Sequence, residues 1–300
     1  MIGYDRLGSN GRFGNQMFQY AALRGIAAHH GYEWCIPPVD HYSYSNYGIH
    51  HAFNTENVKT GFINKHINNQ AMMSLQYLQA LNYETPSITE SVYHFDEDLF
   101  NNFPDNTNLD GYLQTEKYFK HIEDEIRNDF TFKDEILKPC EEFISQYEKI
   151  IFLHVRRGDM VNIQQSHSVM SIDYFTRALK YFDEDSHVLI CSDDPEWCEK
   201  QELFSDNRFL LNTNVPEFDH YHMDGDGVRR KSKVPYTDMC LMSLCNGAIL
   251  SASSMGWWGA WLQKNRTNPV IVPKDWYGPQ LAQINNIKDL YPEDWTVIPN

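Results

Sequence analysis

The sequence predicts an α/β protein built on parallel, doubly wound sheet. From Ile150 onward, strand-sized apolar runs alternate with helical stretches, the β-α-β-α order that a parallel sheet requires. At the amino terminus a short apolar strand leads into a glycine-rich turn and then a helix, the same unit in a second place. The character of the chain changes near residue 150, which divides it into two α/β domains, 1–149 and 150–300.

In the first half, Ile2 to Tyr4 reads as a strand and Gly8 to Gly14 as a turn. A helix is expected from about Asn15 to His30, where Phe18, Ala22 and Ile26 recur at helical spacing, and Gly31 fits its C′ position. WCIPP reads as a second short strand. Residues 40–110, rich in Asn, Tyr and His, show no clear period. Residues 116–149 are charged and largely helical, with Pro139 expected as a break or a helix start.

In the second half, IIFLHV (150–155) is a strand, followed by a helix over 173–182 with Ser171 as cap. Strand HVLIC (187–191), a helix opening at Pro195 and strand RFLL (208–211) come next. A long polar loop then leads to a helix over 236–245, strand AILS (248–251), a helix over 254–263 and strand VIVP (270–273).

Composition excludes several functions. Twenty-five Lys and Arg against 41 Asp and Glu leave a formal charge of −16, the wrong sign for a nucleic-acid binder or for a broadly basic membrane surface. Any anionic ligand must therefore be held by local positive charge. Six cysteines show no Cys-x-x-Cys or zinc spacing and read as buried free thiols. MIGYDRLGSNGRFGN is neither a signal peptide nor an anchor, and no 18-residue apolar run occurs. On this reading the protein is cytoplasmic or peripheral to a membrane.

Three polar clusters follow three of the apolar strands. His154, Arg156, Arg157 and Asp159 follow IIFL; Ser192, Asp193 and Asp194 follow HVLIC; Ser251, Ser253 and Ser254 follow AIL. Ligands of open α/β sheets bind outside the carboxyl ends of the strands, so the clusters converge by topology. Guanidinium groups grip phosphate in bidentate fashion, which makes Arg156 and Arg157 candidates for a diphosphate; a salt bridge with Asp159 is the structural alternative. Ser253 and Ser254 open a helix whose N–H groups and hydroxyls suit phosphate, or simply cap it. Asp193 offers an acceptor for a base or ribose, or a cap for the helix at Pro195. The spacing of Gly8, Gly11 and Gly14 is neither the dinucleotide fingerprint nor a P-loop. It still brings Asn15 and Gln16 towards a ligand. Asp224-Gly-Asp226 reads as a solvated turn, and no metal is assigned.

At GRFGNQMFQYA (11–21), GYLQTEKYF (111–119), HVRRGD (154–159), HSVMSIDYF (167–175), DMCLMSLC (238–245), SSMGWWGAWL (253–262) and VIVPKDW (270–276) the chain resembles the α-1,2-fucosyltransferase family, glycosyltransferase family 11. The resemblance runs from about residue 8 to 276 and is poorest over 35–105. It implies a GT-B-like fold of two Rossmann-like domains facing a cleft, with the acceptor on the first and the nucleotide sugar on the second. It also implies an inverting transfer of L-fucose from GDP-β-L-fucose to the 2-hydroxyl of a terminal β-galactoside, without a metal or other cofactor. The implied donor-binding residues are His154, Arg156, Arg157, Asp193, Ser253 and Ser254, to which the glycine-rich turn adds Asn15 and Gln16. Catalysis falls to Arg156 together with Asp159 or His167; Glu116 is a further candidate base. Asp159, beside Arg157, reads first as a strut, and His167 titrates in the range suited to a base.

The chain departs from the family pattern at Ala252, Met255 and Gly256, where members commonly read Asn, Phe and Ser. HSVM stands at 167–170 in place of His-Gly-Val-Cys. Another donor or linkage on the same scaffold, or a non-catalytic nucleotide- or carbohydrate-binding protein, are the alternative functions.

Overall fold

The computed structural model describes residues 1–38, 47–64, 86–211, 221–223, 229–231, 235–264 and 266–300. The Asp224-Gly-Asp226 turn lies outside these residues. The chain forms two compact units: Met1–Lys133 with Ile287–Tyr291, and Asp134–Asn286 with Pro292–Asn300. The second unit therefore begins at Asp134, ahead of the boundary at 150 read from the sequence. The helix Asp134–Ile144 packs on the helix Pro235–Leu244, and Cys140 Sγ approaches Thr237 O at 3.9 Å. Pro139 sits inside that first helix instead of breaking or starting it.

The first unit holds a four-stranded parallel sheet of β1 (Ile2–Gly3), β2 (Trp34–Cys35), β3 (Ser87–Thr89) and β4 (Asn108–Asp110), in the order β2-β1-β4-β3. The helix Phe13–His30 joins β1 to β2 and ends on Gly31 at φ 68°, a left-handed position that glycine fills without strain. The helix begins two residues earlier than expected. Strands β3 and β4 fall in the stretch that showed no period, and β4 explains why. Its Asn108 is buried and pairs with a buried carboxylate: Asn108 Nδ2 donates to Asp5 Oδ2 at 2.9 Å, and Asp5 N donates to Asn108 Oδ1 at 3.2 Å. A central strand that buries polar partners lacks the apolar signature of one.

The second unit holds a six-stranded parallel sheet of β5 (Ile150–Val155), β6 (His187–Ser192), β7 (Phe209–Leu211), β10 (Ala248–Ile249), β11 (Val270–Pro273) and β12 (Thr296–Ile298). An antiparallel pair, β8 (Tyr221–Met223) and β9 (Arg229–Lys231), lies between β7 and β10 in sequence. The six strands run in the order β12-β11-β10-β5-β6-β7. Every residue of β5 is buried, as two-sided coverage of a parallel strand demands. Ile151, Leu153 and Val155 of β5 pack with Tyr174, Phe175 and Ala178 of the helix Ile172–Leu179. Ser171 caps that helix, its Oγ accepting from Tyr174 N at 3.1 Å. The helix Ser254–Trp261 is almost wholly buried through Trp257, Trp258 and Trp261. No helix among the described residues is long and apolar enough to cross a membrane, and all six cysteines are free and buried.

The strand order fixes where each sheet can bind. From β5 the chain builds outward through β6 and β7, then returns to β10 on the other side of β5. The switch point of the second sheet is thus the β5/β10 junction. In the first sheet β2 lies on one side of β1 and β4 on the other, so the switch point is the β1/β4 junction.

Candidate active site

Residues 154–159 lie at the end of β5 at the switch point, and the ends of the two flanking strands, β10 and β6, tie them down. Ser251, just beyond β10, donates through Oγ to His154 O at 2.7 Å and accepts from Arg156 N at 3.1 Å. Ser192, at the end of β6, donates to Val155 O at 3.0 Å and accepts from Asp194 N at 2.9 Å. Asp193 accepts from Arg157 N at 2.8 Å through Oδ1, and its Oδ2 pairs with Nη1 of Arg156. Arg156 also pairs with Asp159. Arg157 lies over the Trp197 ring at 3.9 Å and reaches Asp194 Oδ2 with Nε at 3.3 Å. Both guanidinium groups are therefore held in place by carboxylates and an aromatic face before any ligand arrives.

Glycine is required at one point of this cluster. A Cβ on Gly158 would lie 2.4 Å from Asp193 Oδ2 and 2.8 Å from Arg156 Nη1. The Asp193–Arg156 pair exists because residue 158 has no side chain.

His154 is 6% exposed and, among the described residues, its Nδ1 has no hydrogen-bond partner. Burial, with a smaller contribution from Arg156, pushes its pKa down to about 3, so the ring is neutral at physiological pH. The first turn of the helix Ser254–Trp261 lies against it: a Cβ on Gly256 would stand 3.1 Å from His154 Cγ. Ser253 is the N-cap, its Oγ accepting from Met255 N at 3.3 Å. Ser254 follows as the first helical residue, so the helix N-terminus and the arginine strand share the switch point.

His167 belongs to a loop clamped by the segment after β11. Residues His167 and Tyr277 form an antiparallel bridge, and Gly278 N donates to Ser166 O at 3.0 Å. Burial lowers the His167 pKa; Asp159 opposes the shift and Arg156 adds to it. The ring thus lies within the electrostatic reach of both residues.

The profile of the glycosyl transferase family 11 matches residues 6–299. The chain belongs to glycosyl transferase family 11. As a member it is a glycosyltransferase. An α-1,2-colitosyltransferase of Escherichia coli is 26% identical over 96% of each chain. Human galactoside α-(1,2)-fucosyltransferase 1 is 24% identical over 84% of this chain and 64% of its own. The O-antigen biosynthesis glycosyltransferase WbnK of Escherichia coli is 26% identical over 55% of this chain and 52% of its own, so that match spans about half of the relative. Among solved structures, NodZ α-1,6-fucosyltransferase soaked with GDP-fucose aligns with TM-score 0.50, at 15% identity, over 87% of this chain and 91% of that one. POFUT1 in complex with GDP-fucose aligns with TM-score 0.51, at 11% identity, over 90% and 97%. The fold is thus the GT-B-like α/β fold that the sequence predicts.

Of the residues singled out in the sequence, the structure brings His154, Arg156, Arg157, Asp159, Asp193, Ser253 and Ser254 to one switch point, with His167 within electrostatic reach. Asp194, not Asp193, caps the helix Pro195–Glu199, which leaves Asp193 for the arginine turn. Asn15 and Gln16 lie in the first unit. Asn15 Oδ1 accepts from Gln114 Nε2 at 2.9 Å. Gln16 is fully buried and accepts from Gly48 N at 2.8 Å, so its side chain anchors the fold of that unit instead of lying open on the glycine-rich turn. Sequence reasoning missed Gly158, Trp197 and the stapling role of Ser251. The glycine inside Arg-Arg-Gly-Asp was the available signal for the first; nothing local marks the others. Gly256 gains a physical meaning, since the serine common at this position would crowd the His154 ring.

Proposed function

We propose that this transferase moves L-fucose from GDP-β-L-fucose to the 2-hydroxyl of a terminal β-galactoside, with inversion at the anomeric carbon. The observation that carries the reading is the pair of clamped guanidinium groups at the β5/β10 switch point, beside the N-terminus of the helix Ser254–Trp261. Guanidinium groups held beside a helix N-terminus suit a diphosphate, and GDP-fucose, bound in the NodZ and POFUT1 structures, carries one.

In this reading Arg156 and Arg157 stabilise the diphosphate as the C1–O bond breaks, with the N-terminus of the helix Ser254–Trp261 adding positive potential. No metal or other cofactor takes part, because fixed cations supply the charge. Neutral His167 accepts the proton of the acceptor hydroxyl, with Asp159 beside Arg156 favouring the imidazolium that forms. The first unit takes the acceptor, a galactose-containing oligosaccharide or lipid-linked glycan.

The match to a colitosyltransferase across nearly the full chain favours a second donor, nucleotide-linked colitose, on the same machinery. Thermal shift with GDP-fucose, nucleotide-linked colitose, GDP-mannose and UDP-sugars, followed by a transfer assay onto lactose, separates the readings. GDP-fucose is expected to stabilise the fold most and to give a 2-fucosylated product. Stabilisation by UDP-sugars alone would overturn the proposal.

A further inference from the structure

The first sheet has a switch point of its own, and there the structure holds a pocket of about 140 Å³. At roughly 10–15 Å³ for each water-sized centre, that is room for about ten such atoms, the scale of one hexose ring. Its walls come from the loop after β1 through Asn10, the residues after β3 through Glu90 and Tyr93, and the residues after β4 through Gly111 and Tyr112. These are the carboxyl ends of parallel strands, the position at which such sheets bind ligands.

The backbone around the pocket is held in uncommon conformations. Gly111 has φ 132°, and a Cβ there would lie 2.6 Å from Glu90 Cβ. Leu113 has φ 55°, a left-handed value rare for a branched residue. Glu90 fixes both: its Oε2 accepts from Tyr112 N and from Leu113 N, each at 3.0 Å. Its Oε1 has no partner among the described residues. Burial pushes the Glu90 pKa up to about 7, against the pull of those two amides and with a smaller push from Asp96. The second carboxylate of the pocket, Asp110, is already engaged, taking Arg6 Nη1 at 3.1 Å and Tyr4 Oη at 3.2 Å. Tyr93 and Tyr112 stand with rings near parallel, 25° apart in plane and 6.3 Å between centroids.

An aromatic wall, an acceptor oxygen and an amide side chain around a ring-sized cavity are the chemistry of a neutral sugar, whose C–H face stacks on aromatic rings while its hydroxyls hydrogen-bond. Among the described residues the pocket walls contain no lysine or arginine, and the nearby Arg6 is taken up by Asp110, which disfavours an anionic sugar. We infer that this pocket binds the neutral pyranose ring of the acceptor, with Glu90 as hydroxyl acceptor and Tyr93 as stacking face. The word acceptor rests on the transfer reading above; the sugar site itself does not.

The test uses the full chain, with methyl β-D-galactopyranoside and lactose as probes, read by saturation-transfer difference NMR and calorimetry. Tyr93→Ala is expected to weaken binding about tenfold. Glu90→Gln keeps an oxygen for the two amides and is expected to weaken it about threefold. GDP affinity is expected to stay within about twofold in both variants, and Arg156→Ala is expected to keep galactoside affinity. Thermal melting of each variant checks the fold. Galactoside affinity in folded Tyr93→Ala equal to that of the parent, or no binding of either probe by the parent, overturns the inference. Sugar binding without transfer defeats the transfer reading and leaves the pocket standing. Transfer with an unchanged acceptor KM in both variants does the reverse.

Discussion

At the switch point of the second sheet, two guanidinium groups are fixed by Asp159, Asp193, Asp194 and Trp197. At the switch point of the first sheet, a carboxylate is fixed by two backbone amides in a pocket that Tyr93 and Tyr112 also line. Both are switch points of parallel sheets, and their chemistry is opposite. Cations ordered in advance lose little further freedom when a diphosphate arrives, which suits the charge of a leaving group. A carboxyl group near its own neutral point, beside aromatic faces, suits hydroxyls. On the proposed reading, the two parallel sheets divide an anionic substrate from a neutral one through the residues that follow β5 in one and β3 and β4 in the other.

Substitutions at the two edges test that division. The largest effect is expected from Arg156→Ala, with kcat lower by about 10²- to 10³-fold and circular dichroism unchanged. A rate within about threefold of the parent would remove the arginine edge from catalysis. His167→Ala is expected to lower kcat by about 10²-fold. Its imidazole acts in the neutral form, so activity falls as pH drops through its pKa, which burial sets below the ordinary value of about 6.5. That acidic limb should vanish in the variant. An unaltered limb would return the role to Asp159 or Glu116.

Gly158→Ala is expected to cost about 1–3 kcal/mol in denaturant unfolding, since its Cβ meets the Asp193 carboxylate that holds Arg156. Equal stability would show that the pair has room to shift. A smaller effect concerns His154. Its folded pKa is about 3, well below the unfolded value of about 6.5. The unfolded chain therefore binds the extra proton first, and stability falls as pH drops from about 6.5 towards 3. His154→Gln should flatten that part of the stability profile, and an identical slope would assign it to other groups. The smallest effect expected is none: EDTA should leave turnover unchanged. Loss on chelation, restored by Mg²⁺ or Mn²⁺, would mean that the fixed cations alone do not carry the leaving group.

The same two edges differ in how far the sequence revealed them. The second sheet announces itself, because β5, β6 and β10 lie in continuous apolar runs, each followed by polar residues with a clear chemistry. The first sheet does not. Its strands are two or three residues long, and β4 buries Asn108 against Asp5 where a period-based reading expects apolar side chains. Glu90 and Tyr93 sit in the stretch that showed no pattern, and only folding sets them beside Asn10 and Gly111.

By itself the sequence determined the α/β class, the strand ends of the second sheet, the family, and Arg156 and Arg157 as the local positive charge. These follow from periodicity and from side-chain chemistry at fixed offsets, which are properties of neighbours in the chain. Tertiary structure alone decided that Asp193 clamps the arginine turn while Asp194 caps the helix, that Gln16 turns inward, and that Gly158 must lack a side chain. Each of these depends on which groups meet across tens of residues of sequence. Hydrogen-bond geometry and excluded volume settle such meetings only once the strands have taken their order in the sheet.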